Sequence, residues 1–182
     1  MKIVAVVQAR MGSSRFPGKV MKKINNEPLI GLLLERLKIS KKITNIVVAT
    51  SKNKDNIPLI KYLKDNKYDF FQGSENDVLD RYAKAAKIFC ADVILRITGD
   101  CPLIDPYMID ETIEIFLKEK IDYLSNTNPP SFPDGLDIEI TNLHELNTAN
   151  LESKDSYDRE HVTPFIKRKK NIKIFNYKNP EN

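Results

Sequence analysis

The chain has 182 residues, 41% of them hydrophobic and 30% charged, with a formal net charge of +4. That length suits one domain with a buried core, no apolar run approaches the roughly 18 residues of a membrane span, and so small a charge singles out neither a small anionic substrate nor nucleic acid. The two cysteines, Cys90 and Cys101, form no CxxC pair, which leaves no disulfide framework or thiolate metal site and makes both expected free thiols.

After Lys2, a short apolar stretch enters a loop with no longer apolar region and no small-residue cleavage site, so the expected location is the cytoplasm. Short β-branched runs then alternate with helical periods, the pattern of parallel strands joined by crossover helices. Strands are predicted at 3–8, 46–50, 68–72 and 93–98. Between them, Leu29, Ile30, Leu33, Leu34 and Leu37 mark one helix face behind Pro28; Ile57, Ile60 and Leu63 mark a second; Val78, Leu79, Tyr82, Ala83, Ala86 and Phe89 mark a third. Asp105 and Pro106 read as the cap and first turn of a helix through Ile109, Ile113 and Phe116. Beyond a strand at 121–125 the rhythm changes: Pro129, Pro130 and Pro133 crowd a loop that ends in Asp134-Gly135 and is positioned to cover a site. The alternating segment 137–141 reads as a half-buried strand, followed by helices at about 142–151 and 157–168 and a last strand, IKIFNY. The basic run Lys167 to Lys170 reads as a solvated helix end.

The first strand leads into QARMGSSRFPGK, a loop with exposed backbone N–H groups, the hydroxyls of Ser13 and Ser14, and the cations Arg10, Arg15 and Lys19. At the carboxyl end of a first strand, such a loop suits a polyphosphate. Five residues separate Gly12 from Gly18 and Val20 follows Lys19, so this is not the ATPase P-loop, and GxGxxG is absent. Asp100 follows the strand VILRIT and a glycine, on the same sheet edge. A hard Mg²⁺ takes one or two carboxylates plus substrate phosphates, which suits Asp100; a turn aspartate before Pro102 is the plainer alternative.

QARMGSSRFPGK resembles the signature loop of the sugar-activating cytidylyltransferases, in the form found in CMP-Kdo synthetases and, more nearly, in the spore-coat polysaccharide biosynthesis protein F family. GSENDVLDRY, RITGDCPLIDP, FPDGLDIEI and DREHVTPFI follow in the same order as that family's other motifs, and the similarity runs roughly from Lys2 to Tyr177. The resemblance implies an α/β fold, the three-layer α/β/α nucleotide-diphospho-sugar transferase fold with a mixed, mainly parallel sheet, over a single domain spanning 1–182. It also implies that the family pattern continues with a further strand and a VDxPED-like segment, so that the chain is expected to be C-terminally truncated.

For the site, the resemblance implies nucleotide contacts from Ala9, Arg10, Gly12, Ser13, Ser14, Ser74, Asp77 and Arg81. Arg15, Lys19 and Asp100 are the expected catalytic residues, with Asp100 on Mg²⁺. Asp137 is the candidate second metal ligand. Ser74 and Asp77 serve equally well as helix caps. Asp134, Asp137 and Glu139 supply either a second carboxylate or acceptor contacts, unless they are the polar face of an edge strand. Arg159 and His161 bind the acceptor or pack locally. The implied reaction transfers CMP from CTP to an acidic or hydroxylated sugar, releasing pyrophosphate, for surface polysaccharide or glycan precursors. A catalytically silent nucleotide- or sugar-binding subunit, or transfer to a phosphonate or polyol phosphate, is the alternative. Neither nucleic acid nor membrane is an expected partner, and the family suggests a homodimer.

Overall fold

A computed structural model describes residues 1–12 and 16–179. Seven strands form one sheet in the order β5-β4-β1-β6-β8-β7-β9. They are β1 (Ile3–Gln8), β4 (Asn45–Ser51), β5 (Asp69–Gly73), β6 (Val93–Thr98), β7 (Tyr123–Ser125), β8 (Glu139–Asn142) and β9 (Ile174–Asn176). β8 runs against both of its neighbours, and the remaining pairings are parallel. The sheet is therefore mixed and mainly parallel, as the family resemblance implies.

Ile3 through Val7 are all buried, the near-continuous apolar run required of a central strand covered on both faces. Alternation along β1 sends Ile3, Ala5 and Val7 to one helix layer and Val4 and Val6 to the other. The first layer holds α1 (Leu29–Leu37), α2 (Ile57–Asp65) and α4 (Pro106–Lys118). The second holds α3 (Val78–Ile88), α5 (Leu143–Glu152), and α6 (Ser156–His161) and α7 (Pro164–Arg168), which follow it. Two packed faces on one sheet make the three-layer α/β/α architecture.

Local chemistry fixes several boundaries. Asp105 caps α4 by accepting from Tyr107 N–H at 2.8 Å, with Pro106 in the first turn. In α2 the buried face is Leu59 and Leu63; of the expected face Leu63 is in the core and Ile60 half-buried, while Ile57 is 61% exposed, so the apolar spacing is partly displaced from the core side. The expected helix over 157–168 is two helices. Val162 takes φ 72°, ψ −56°, and Thr163 N–H donates to His161 O at 2.9 Å, closing a γ-turn that ends α6; Pro164 then opens α7. A hairpin of β2 (Lys23–Ile24) and β3 (Glu27–Pro28) escapes the apolar pattern because its signal is the Asn25-Asn26 turn, both at positive φ.

Candidate active site at the carboxyl edge of the sheet

The chain leaves β1 toward β4 on one side, while β6 lies on the other, so the crevice at the ends of β1 and β6 is the topological switch point, where open α/β sheets bind ligands. Gln8 and Thr98 are paired at the last register position. Gly99 then packs against the end of β1: its N–H donates to Gln8 O at 2.8 Å, and a Cβ there would stand 2.8 Å from that oxygen and 2.9 Å from Ala9 Cβ. Only glycine lets the two strand ends come this close.

Three neighbouring cavities open on this edge, and Thr98 lines all of them. One of about 330 Å³ is lined by Ala9, Arg10, Lys19, Thr98, Asp100 and His161. A second, of about 220 Å³, lies between Arg96, Asp137, Glu139, His161 and Lys167. The third, of about 440 Å³, lies between Asp100, Cys101, Asp134, Gly135 and Asp137. The proline-rich loop thus borders the cleft, its Pro133-to-Leu136 turn carrying Gly135 at φ 93°.

The loop after β1 is pinned at several points. Arg10 donates to Glu75 Oε1 at 2.8 Å, and Met11 N–H donates to Oδ1 of the buried Asn56 at 2.8 Å. Gly18, at φ 70°, donates to Met11 O at 2.8 Å and closes the loop. The left-handed backbone that needs glycine is therefore at Gly18; a Cβ on the exposed Gly12 would meet only an ordinary contact, with Glu75. Ser13, Ser14 and Arg15 lie outside the described residues. Lys19 reaches across the cleft to hydrogen-bond Asp100. Burial opposes ionisation of Asp100, but hydrogen bonds from Lys19 and Thr98 outweigh it and hold the carboxyl below its ordinary range.

Asp137 behaves in the opposite way. Burial, then the neighbouring carboxylates Asp134 and Glu139, raise its carboxyl above the usual range, and Asp100 adds to this. Asp100 and Asp137 line one cavity as oxygen donors. Among the described residues no three His, Cys, Asp or Glu side chains group as a ready metal cage. An ionised aspartate beside a carboxylate short of positive charge nevertheless fits a hard divalent cation that draws its other ligands from phosphate and water.

Several expected site residues are placed elsewhere or are occupied. Arg81 is fully buried behind the cleft, where its Nη1 donates to Ser74 O at 2.5 Å; it supports the loop from beneath instead of facing a nucleotide. Ser74 Oγ accepts from Asp77 N–H, and Asp77 caps α3 by accepting from Asp80 N–H at 2.9 Å. Arg159 grips both oxygens of Asp77, at 2.9 and 2.6 Å, and donates to Asn150 O at 2.7 Å, so it ties α6 to α3 and α5 and does not reach for an acceptor. Glu139 is saturated by Arg96, Tyr123, Thr163 and Lys167 and is spent as a metal ligand. His161 lines the cleft and packs its ring on Tyr157, centroids 4.3 Å apart.

Of the basic run only Lys170 is the solvated cation expected at a helix end. Lys167, Arg168 and Lys169 pair with Glu139, Asp158 and Glu145, three buried carboxylates. Arg96 is the cleft residue most open to detection from sequence, since a charge inside VILRIT is out of place in a buried strand. Glu75 and Asn56 carry no such signal.

A family model described as cytidylyltransferase matches residues 4–179. An uncharacterised protein of Methanocaldococcus jannaschii is 41% identical over the whole chain, which covers 74% of it. The spore coat polysaccharide biosynthesis protein SpsF of Bacillus subtilis is 34% identical over 91% of this chain and 70% of its own length. An 8-amino-3,8-dideoxy-manno-octulosonate cytidylyltransferase of Shewanella is 28% identical over 92% of this chain, which spans 65% of it. Among solved structures, a cytidylyltransferase from Leptospira borgpetersenii superposes with TM-score 0.94 at 38% identity, over 99% of this chain and 77% of that one. The CTP complex of CMP:2-keto-3-deoxy-manno-octonic acid synthetase shares the fold, with TM-score 0.76 at 17% identity over 98% and 90% of the two chains. The switch-point cleft, the loop after β1 and these likenesses agree: the chain belongs to the cytidylyltransferase family of CTP-dependent nucleotidyltransferases.

Proposed function

We propose that this protein transfers CMP from CTP to a sugar acceptor, releasing pyrophosphate, in the synthesis of a surface polysaccharide or glycan precursor. The observation that carries this reading is the Lys19–Asp100 pair spanning the switch-point crevice, which sets a cation and an ionised carboxylate where the triphosphate of a nucleotide would lie. The acceptor oxygen attacks the α-phosphorus in line, forming the new P–O bond as the bond to pyrophosphate breaks and its electron pair leaves with pyrophosphate. Lys19 and Arg10 offset charge on the phosphates, and the backbone at Ala9 and Gly99 lets the nucleotide approach the strand ends. Asp100 and Asp137 are the residues suited to hold Mg²⁺, which would supply charge neutralisation at the phosphoryl oxygens. Arg15, Ser13 and Ser14 complete the triphosphate cradle in this reading.

The test is pyrophosphate release with CTP, Mg²⁺ and a panel that includes 3-deoxy-manno-octulosonate and its 8-amino analogue, the latter named for the Shewanella relative. Release dependent on both CTP and an acceptor is expected. Tight CTP binding with no release for any sugar would replace this reading with that of a silent binding subunit.

A further inference from the structure

In the 220 Å³ lobe two cations, Arg96 and Lys167, converge on one carboxylate, Glu139. Glu139 opens β8 opposite Arg96 in the register and is 5% exposed. Arg96 hydrogen-bonds its Oε2, Tyr123 and Thr163 donate to Oε1, and Lys167 Nζ lies 2.9 Å from Oε1. A buried carboxylate so surrounded has little capacity left to act as a base. It does, however, fix the position of both cations.

The charge count on this wall is uneven. Arg96 and Lys167 contribute two positive charges against the single negative charge of Glu139. Asp137 also lines the lobe, but it makes no ion pair among the described residues, and as a metal ligand it would be neutralised from the other side. Of the two cations Lys167 is the more accessible, its side chain 31% exposed against 19% for Arg96. An ammonium has three donors, and Glu139 does not use them all. The backbone directs it inward. The γ-turn at Val162, a costly conformation for a β-branched residue, starts α7 at an angle that brings Lys167 to the lobe while Arg168 and Lys169 turn to Asp158 and Glu145.

We propose that Lys167 is a specificity-determining residue of the acceptor side, a cation that Glu139 aims into the lobe to meet an anionic group, carboxylate or phosphate, on the sugar. This inference rests on the cytidylyl-transfer reading. Its test is steady-state pyrophosphate release by wild type, Lys167→Met and Lys167→Arg with CTP and three kinds of acceptor: 2-keto-3-deoxy sugar acids, erythritol 4-phosphate and neutral hexoses. In Lys167→Met the acceptor KM should rise at least about tenfold, as expected for loss of one charged hydrogen bond. The CTP KM should stay within about twofold, and Lys167→Arg should recover most of the loss. Whether acids or the polyol phosphate show the effect identifies the anionic group. An unchanged acceptor KM, a fall in kcat alone, or neutral hexoses used as well as the anionic acceptors would overturn the assignment. If no acceptor turns over, calorimetry of the same compounds on the CTP-loaded protein decides: weaker binding to Lys167→Met supports it, and equal or absent binding overturns it. CTP titration without acceptor separately exposes failure of the underlying reading.

Discussion

On one side of the cleft the ends of β1 and β6 and the loop after β1 are drawn together at Gly18 and Gly99 and carry Lys19 and Asp100; on the other, α6 and α7 present side chains held by ion pairs to buried acids. The first wall is built by close approach of main chain, which any triphosphate can use because its recognition is charge and N–H geometry. The second depends on particular carboxylates, Glu139, Glu145 and Asp158, each burying a charge that only a partner makes tolerable. In the proposed reaction the first wall serves the nucleotide and the second the acceptor. Substitutions on the first wall should alter nucleotide handling, and those on the second acceptor handling.

The largest effect should come from Asp100→Asn. Its loss of carboxylate charge should lower Mg²⁺-dependent pyrophosphate release by roughly a hundredfold or more, with the circular dichroism spectrum unchanged. A variant retaining near-wild-type rate would remove Asp100 from the reaction. Next is Gly99→Ala, where the added methyl meets Gln8 O and Ala9 Cβ. We expect a cost of about 1–3 kcal/mol in stability, read by urea denaturation, together with weaker CTP binding; full CTP affinity would show that the close approach of β1 and β6 is not needed.

On the second wall, Glu139→Gln tests the buried anchor through pH. The carboxyl of Glu139 is opposed by burial yet brought down to about 2, chiefly by Arg96 and then Lys167. A group lowered on folding stabilises the folded state above its unfolded value, near 4.5, and loses that contribution as pH falls toward 2. The variant should therefore melt well below wild type at pH 7, with the gap narrowing toward pH 3; a gap independent of pH would assign Glu139 a role in shape alone. Arg159→Ala removes the double grip on Asp77, a partly exposed pair, and should cost about 1 kcal/mol with CTP affinity unchanged. A loss of CTP binding would mean the two walls are coupled through α3. The smallest effect is expected for Asp137→Asn. Because the Asp137 carboxyl is raised on folding, its charge disfavours the folded state at neutral pH, so without divalent cation the variant should melt slightly higher than wild type. Added Mg²⁺ should stabilise wild type more than the variant, and an equal response would take Asp137 out of the metal set.

The two walls also differ in how far the sequence reveals them. The central strands β1 and β6 and the edge carrying Asp100 are legible because continuous apolar runs and glycine-rich strand ends are local signals. The ion-paired wall is not, because its partners are far apart in the chain: Lys167 meets Glu139, and Arg159 meets Asp77. Read locally, KRKK is a solvated end and Arg81 a cation free to face a ligand. Only the tertiary packing shows that three cations of the first are neutralised by buried acids and the second is enclosed beneath Ser74. The break at Val162 hides for a related reason, since nothing about valine announces a positive φ. The tertiary context imposes it against local preference.

The reversed direction of β8 has a consequence for how such a protein can diversify. Because β7 leaves the sheet and β8 re-enters it at the same edge, segment 126–138 begins and ends at the cleft without crossing the core. Its ends, Asn126 and Ile138, are buried, but the exposed stretch 128–130 between them can change in length with the two anchoring strands left in place, the circumstance in which loops tolerate insertion best. In the proposed cytidylyl transfer, changes in this segment would reshape the cavity beside Asp100, and because Asp137 lines that cavity from the same segment they would reach the metal site as well.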